Sequence, residues 1–247
     1  MPEKDVAKKT ASGLAREYSS AIKGKTILVT GVSPGGIGAA FVLALAPMQP
    51  SMFILLGRNA ERTEQTARAI QELSPHTHIR TRVVDLGCLA SVRAAADAIL
   101  AWSDVPRIDV LVNNAGTCGG PRAITDEGFE NLFASNYLGP FLLTNLLMPK
   151  ILASDAPRVV NAGSDGHILS PIRFDDPNFR DEDVYNTWIA YGQSKTANML
   201  MAISLASKYG DQHNLRAFSV HPGAVTTNLA SHLDLSLLYT EMSESLS

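Results

Sequence analysis

Hydrophobic and polar positions form blocks along this chain that predict strands and helices in turn. Short apolar runs are typical of buried strands, whereas apolar residues at helical spacing predict helices that pack against a core. The predicted strands are Lys25–Thr30, Met52–Leu56, Ile79–Val84, Ile108–Val112, Arg158–Ala162 and Leu215–Val220, and the predicted helices are Ala39–Ala46, Ala60–Leu73, Leu89–Trp102, Asp126–Leu152 and Trp188–Tyr209.

Strands that alternate with helices imply right-handed crossovers and a parallel sheet. We therefore predict an α/β fold with a doubly wound parallel sheet, the Rossmann fold, and the 247 residues are expected to form a single domain. A polar N-terminal lead covers residues 1–24, the domain residues 25–229, and a short C-terminal tail residues 230–247. The irregular stretch Gly163–Thr187 is long for a connection, which usually marks a functional loop.

Composition and charge exclude several classes of protein. The chain is 45% hydrophobic and 18% charged, unlike a disordered protein. Its 21 basic and 24 acidic side chains form no long runs, so no site for nucleic acid or an anionic membrane is indicated. Residues 1–24 lack a signal-peptide core, and no apolar run is long enough for a membrane segment. We therefore expect a cytoplasmic protein.

The two cysteines, Cys88 and Cys118, lie 30 residues apart and form no C-x-x-C motif. No cluster of histidines accompanies them. Neither a disulfide framework nor a zinc site is indicated, so no metal is expected and both thiols should be reduced.

A glycine-rich turn, Gly31-Val-Ser33-Pro-Gly35-Gly36-Ile37-Gly38, separates the first strand from the first helix. Glycines allow the backbone to approach a phosphate, and amides at a helix N-terminus favour its negative charge. A nucleoside triphosphate loop requires lysine where Ile37 stands. Taken alone, the turn fits a dinucleotide site and a tight structural turn equally well.

Ligands of doubly wound sheets bind at the carboxyl ends of the strands. Arg58 follows the second strand, where a guanidinium favours the 2′-phosphate of NADP(H) over NAD(H), although it could also be a solvated residue at a helix entry. Asp85, followed by Leu86, could accept from an adenine amine or cap a helix. The fourth strand ends in Asn113-Asn114-Ala115-Gly116, against which a cofactor could lie, and Ser164 after the fifth could donate to a substrate oxygen or simply shape a turn.

Tyr191 and Lys195 lie four residues apart, so a helix brings them to one face. A phenol has a reference pKa of about 10, and a neighbouring ammonium lowers that value. The pair could thus supply general acid-base catalysis near neutral pH. The alternative is an incidental pair on a surface helix.

The glycine turn, N-N-A-G, Asn136, Ser164, Y-x-x-x-K and P-G-x-x-x-T occur in an order that resembles the short-chain dehydrogenase/reductase family over about Lys25 to Leu229. The interval between Ser164 and Tyr191 is similar to that of its retinol-dehydrogenase-like and WW-domain-oxidoreductase-like branch. Fungal reductases of that branch are similar in the segment Ser33-Pro-Gly-Gly-Ile-Gly38. The resemblance implies that Tyr191 donates or accepts the proton, that Lys195 lowers its pKa and holds the nicotinamide ribose, and that Ser164 positions the carbonyl. It also implies that Asn136 holds a water in a proton relay, the alternative being a helix-interior amide.

The family resemblance and the strand-end positions together give the expected cofactor site. These residues are Gly31, Ser33, Gly35, Gly36, Ile37, Gly38, Arg58, Asp85, Leu86, Asn113, Ala115, Gly116, Tyr191, Lys195, Pro222, Gly223, Val225 and Thr227.

The expected function is NADP(H)-dependent interconversion of a small-molecule carbonyl and alcohol, and the alternative is a shortened, non-catalytic NADP(H)-binding relative. A homodimer through helices Asp126–Leu152 and Trp188–Tyr209 is possible by resemblance.

Two features depart from the family. The glycine turn has one extra residue, which leaves open whether Gly35 or Gly36 contacts the pyrophosphate. Only 24 residues follow Gly223, so the C-terminal helix and seventh strand are expected to be lacking.

Overall fold

The computed structural model describes residues 9–223 and residue 225, and its helices alternate with strands through most of that range. The strands are β1 (Thr26–Thr30), β2 (Met52–Gly57), β3 (His78–Val83), β4 (Val110–Asn113), β5 (Arg158–Ala162) and β6 (Arg216–Val220), and the α-helices are α1 (Ala11–Glu17), α2 (Ser19–Ile22), α3 (Ile37–Leu45), α4 (Ala60–Leu73), α5 (Leu89–Ala101), α6 (Asn131–Phe133), α7 (Gly139–Leu146), α8 (Met148–Ile151) and α9 (Thr187–His213).

The strands form one parallel sheet in the order β3-β2-β1-β4-β5-β6. The chain therefore winds outward from β1 in both directions, which confirms the predicted doubly wound fold. Each predicted strand is present, with ends within two residues of those expected. β1 is buried along its whole length, in keeping with its unbroken apolar run.

Helices cover both faces of the sheet and divide the core in two. Ile27 and Phe53 face a cluster built with α3 and α4, whereas Leu28 and Ile54 face a larger cluster built with α5, α7 and α9. Successive residues of β1 and β2 thus point to opposite layers. The lead segment contributes α1, which packs against α3.

Side-chain caps fix where the two functionally important helices begin. The Asn59 side chain accepts from the Arg62 amide at the start of α4, and the Asn186 side chain accepts from the amides of Trp188 and Ile189 at the start of α9. Such caps satisfy amides that the first helical turn leaves without partners. α9 ends at His213, because the next residue, Asn214, adopts a left-handed φ of 51°.

The prediction of one continuous helix from Asp126 to Leu152 is wrong. A turn with Gly128 at φ 84° comes before the first helical residue. The Glu130 carboxylate then caps α6 by accepting from the amides of Leu132 and Phe133. A π-helical turn, Ala134–Leu138, then separates α6 from α7. The helical pattern in the sequence is real, but turn residues delay its start and a π-turn interrupts it.

The long connection at residues 163–187 contains only two short 3₁₀ turns, Asp165–Leu169 and Glu182–Val184. The fully buried Gln193 of α9 anchors it, since its amide donates to the Pro177 carbonyl and accepts from the Arg173 amide. The predicted functional loop is therefore fastened to α9.

Two expectations fall outside the described residues, namely the role of Thr227 and the tail at 230–247. No helix within the part of the chain that is described has both the length and the apolar character needed to cross a membrane.

Candidate active site

A cavity of about 560 Å³ lies at the carboxyl ends of β1, β2 and β3, beside the segment that follows β4. This is the edge at which ligands of doubly wound sheets bind. Nine of the predicted cofactor residues line it: Gly31, Ser33, Gly36, Ile37, Arg58, Asp85, Leu86, Ala115 and Gly116. Residues not singled out from the sequence also line it, including Asn59, Arg62, Thr117 and Ser135.

The glycine turn forms one wall of this cavity. Gly31 adopts φ 73°, and a Cβ there would lie 2.7 Å from the Cα of Ala115, so a larger residue would separate β1 from the end of β4. Gly36 is the N-cap of α3 and lines the cavity. Gly35 and Gly38 are not among the residues that line the cavity. The structure thus favours Gly36 over Gly35 as the residue facing a bound ligand.

Two arginines give one end of the cavity its charge. Arg58 precedes α4 and Arg62 lies in its first turn, and both line the cavity. None of the ion pairs between described residues involves either guanidinium. Guanidinium groups that face a polar cavity in this way are suited to a phosphate. Arg62 was missed because a single arginine within a predicted helix gives no signal of which side of α4 faces the cavity.

Asp85 shapes the turn after β3. Its carboxylate accepts from the Gly87 amide at 2.9 Å, and its own amide donates to the Ser91 hydroxyl at 3.0 Å. Asp85 lines the cavity, so its contact with an adenine amine stays a prediction, whereas it does not cap α5, whose N-cap is Cys88.

The two asparagines that end β4 lie in different places. The Asn113 side chain is buried away from the cavity and donates to Thr144 and Asn161, which ties β4 to α7 and β5. The Asn114 side chain lines the cavity and donates to the carbonyls of Thr30 and Gly31. The Asn113 side chain thus has a packing role, and contact between this residue and a cofactor stays a prediction.

The aromatic hydroxyl and the ammonium expected to act together lie on one side of α9. Tyr191 is 8% and Lys195 6% exposed, and the Lys195 Nζ lies 5.3 Å from the centre of the tyrosine ring. That Nζ donates to the Ala162 carbonyl at the end of β5, 2.9 Å away. The Ser164 hydroxyl hydrogen bonds with the Tyr191 phenol and accepts from the Gly166 amide at 3.0 Å.

Burial controls the protonation of this pair. It raises the pKa of Tyr191, which the hydrogen bond from Ser164 opposes, and it lowers the pKa of Lys195 to about 8. The expectation that Lys195 lowers the pKa of Tyr191 is therefore not met in this structure. The reason is that burial is the largest cause of the raised pKa of Tyr191, and Lys195 is not among its causes.

Asn136 connects this pair to the cavity. In the π-turn, its side chain accepts from the Thr117 amide at 2.8 Å and donates to the Ser194 hydroxyl at 3.1 Å. A Cβ placed on Gly116 would lie 3.3 Å from the Asn136 Oδ1 and 3.6 Å from the Lys195 Nζ. Neither Tyr191 nor Lys195 lines the cavity itself, but the Lys195 Nζ adjoins Gly116, which does.

A buried thiol adjoins the same residues, although no motif in the sequence singles it out. Cys118 packs in an apolar cluster with Tyr191 and Phe179. Burial raises its pKa, and the charge of Lys195 opposes that rise. This thiol is therefore protonated at neutral pH.

The segment after β6 is the least enclosed part of the predicted site. Pro222, Gly223 and Val225 are exposed and do not line the cavity. The His221 Nε2 lies 3.2 Å from an Asp165 carboxylate oxygen, which joins this segment to the turn that carries Ser164. The structure therefore brings Pro222 and Gly223 near the loop but not into the described cavity.

Comparison with known proteins gives consistent matches. The short chain dehydrogenase family matches residues 25–172. An oxidoreductase, fscI, of Fusarium equiseti is 38% identical over 86% of this chain and 92% of its own length, and human retinol dehydrogenase 13 is 38% identical over 90% of this chain but only 65% of its own length. The crystal structure of a short chain dehydrogenase from Escherichia coli CFT073 complexed with NADPH superimposes with a TM-score of 0.67 at 28% identity, covering 87% of this chain and 83% of that one.

Proposed function

Because this chain belongs to the short chain dehydrogenase family of oxidoreductases, we propose that it uses NADP(H) to interconvert a carbonyl group and an alcohol. The observation that carries the proposal is the position of Gly116, which lines the cavity and also adjoins the Lys195 Nζ. A dinucleotide that reached Gly116 from the arginine end would bring its reactive ring beside Tyr191.

The residues present fit an NADP(H) molecule. Gly31 and Gly36 line the cavity at the start of α3, where helix amides would bind a pyrophosphate, and Asp85 is available to an adenine amine. Arg58 and Arg62 would hold the 2′-phosphate, a group that NAD(H) lacks. The complex of the Escherichia coli relative with NADPH supports the same assignment.

When bound, the nicotinamide supplies or accepts the hydride. The Tyr191 phenol would donate the proton to the oxygen of a carbonyl substrate, and in the reverse reaction it would accept that proton. The Ser164 hydroxyl, which already hydrogen bonds with this phenol, would donate to the same oxygen. Lys195 would hold a ribose hydroxyl and, when protonated, stabilise the phenolate that forms.

Burial around Tyr191 and Lys195 has a direct consequence for this chemistry. A neutral phenol is the form needed to donate a proton during reduction, and burial favours that form. The lowered pKa of Lys195 leaves part of the ammonium deprotonated near pH 8. At neutral pH the phenol is therefore in the protonation state that reduction of a carbonyl compound requires.

A second candidate is a non-catalytic NADP(H)-binding protein. The observation that favours it is that neither Tyr191 nor Lys195 lines the described cavity. Such a protein would bind the dinucleotide without converting a carbonyl. The cytoplasmic location of this chain and the small-molecule substrate of the first candidate stay predictions.

One sample separates these candidates. Calorimetric titration with NADPH and then NADH should give tighter binding of NADPH, and a following screen of aldehydes and ketones should show consumption of NADPH by its near-ultraviolet absorbance. Binding without turnover on a broad panel would favour the second candidate. Equal affinity for the two dinucleotides would reject the assignment of the arginine end to a 2′-phosphate.

A further inference from the structure

A proline in α7 removes the helical hydrogen bond of a residue in the proposed active site. In a regular α-helix the carbonyl of Asn136 would accept from the amide of residue 140. That residue is Pro140, which has no N–H. The π-turn immediately before α7 is where this irregularity lies.

A side chain from α9 supplies a donor to this carbonyl. The Asn198 Nδ2 donates to the Asn136 carbonyl at 3.0 Å, and both residues are almost completely buried. The backbone carbonyl of Asn198 in turn accepts from the Asn161 side chain at 3.0 Å. Asn198 therefore connects the π-turn to β5 through a helix turn that also carries Lys195.

The position of Asn136 determines two parts of the proposed site at once. Its side chain pairs with both backbone groups of Thr117, at the cavity, and donates to the Ser194 hydroxyl, which itself donates to the Tyr191 carbonyl. A buried carbonyl without a donor is destabilised, so the π-turn would move to satisfy it. Any such movement would alter the register between the cavity and Tyr191.

We propose that Asn198 is a positioning residue for the reaction, which holds Asn136 in place by replacing the backbone donor that Pro140 lacks. This role rests on the oxidoreductase function proposed above. Asn198 acts through Asn136 and does not itself line the cavity.

The pairing with Pro140 allows a double-mutant cycle. Asn198→Ala should lower kcat about tenfold while the Kd for NADPH changes less than about threefold, because the arginine end of the cavity is untouched. Pro140→Ala restores an N–H at position 140. In that background Asn198→Ala should lower kcat by no more than about threefold, since the backbone can then supply the missing donor.

Asn145→Ala is the matched control. This substitution removes a hydrogen bond of the same kind, in which the Asn145 side-chain amide donates to the Phe141 carbonyl at 2.7 Å on the exposed side of α7. Neither kcat nor the Kd for NADPH should change. The thermal unfolding midpoint is measured for every variant, and Asn198→Ala should lower it by several degrees in the parent protein and by less than half as much in the Pro140→Ala background.

The outcomes separate the two proposals. A parent protein that binds NADPH but converts no carbonyl overturns the proposed function and with it the catalytic part of this role, while the unfolding cycle still decides the pairing. If the parent is active and Asn198→Ala retains its kcat, or if the two substitutions act additively in kcat and in unfolding, the positioning role is overturned.

Discussion

The Lys195 ammonium lies in an environment far from water, and this defines the chemistry of the site at the residue scale. With 6% of the residue exposed and a carbonyl as its hydrogen-bond partner, burial lowers its pKa to about 8. The same burial raises the pKa of Tyr191. A bound dinucleotide that gives Lys195 further polar partners would favour its charged form and so strengthen its effect on the phenol.

Arg62 lies at a position in α4 where its positive charge destabilises the helix. A cation in the first turn of a helix opposes the helix dipole, at a cost of about 0.3 to 1 kcal/mol. We therefore predict that Arg62→Gln raises the thermal unfolding midpoint by about 1 to 3 °C. Calorimetry should show that the Kd for NADPH rises about tenfold while that for NADH is unchanged.

Arg68→Gln, on the same helix but outside the cavity, should leave both dissociation constants as they are. A loss of affinity in Arg62→Gln that is equal for NADPH and NADH would show that Arg62 does not hold the 2′-phosphate.

Among the helices, α9 contains two glycines at which alanine should change the free energy of unfolding in opposite directions. A Cβ on Gly192 would lie 2.9 Å from the Gly166 carbonyl oxygen and the Ser170 amide, so the turn that carries Ser164 would have to move. Gly192→Ala should lower the free energy of unfolding by about 1 to 3 kcal/mol and reduce turnover. On Gly210 the nearest atom to a Cβ is 3.7 Å away, which is an ordinary contact.

Gly210→Ala should thus stabilise the protein by about 0.5 to 1 kcal/mol, through helix propensity alone, and leave turnover unchanged. Chemical denaturation of both variants measures the difference. Two alanine variants of equal stability would contradict the close packing of Ser164's turn on α9.

The success of sequence-based prediction followed the strength of local signals. The strands were predicted because their apolar runs are unbroken, and Tyr191 and Lys195 because four-residue spacing fixes a helix face. The start of α6 was missed because Gly128 and the Glu130 cap act against a helical pattern. The side-chain roles of Asn113 and Asn198 could not be predicted, since their partners come from distant segments.

For the whole molecule, the exposed apolar residues of α7 and α9 support a homodimer. Leu200 and Ile203 on α9 and Phe141 on α7 are 44%, 61% and 43% exposed. We predict twice the chain mass by light scattering at micromolar concentration, and a monomer for Ile203→Glu because a carboxylate would be buried in the contact. Leu73→Glu, at a similarly exposed site on α4, should remain dimeric. A monomeric parent chain would contradict the proposed interface.

The central claim is that the Tyr191 hydroxyl exchanges a proton with a reacting oxygen next to bound NADP(H). The most direct measurement compares NADPH consumption and NADPH binding in the parent protein and in Tyr191→Phe, with Tyr209→Phe on the same helix as the control. We expect at least about a 10²-fold loss of turnover in Tyr191→Phe, with the Kd for NADPH within about threefold of the parent and no change in Tyr209→Phe. Turnover of Tyr191→Phe equal to that of the parent would contradict the central claim.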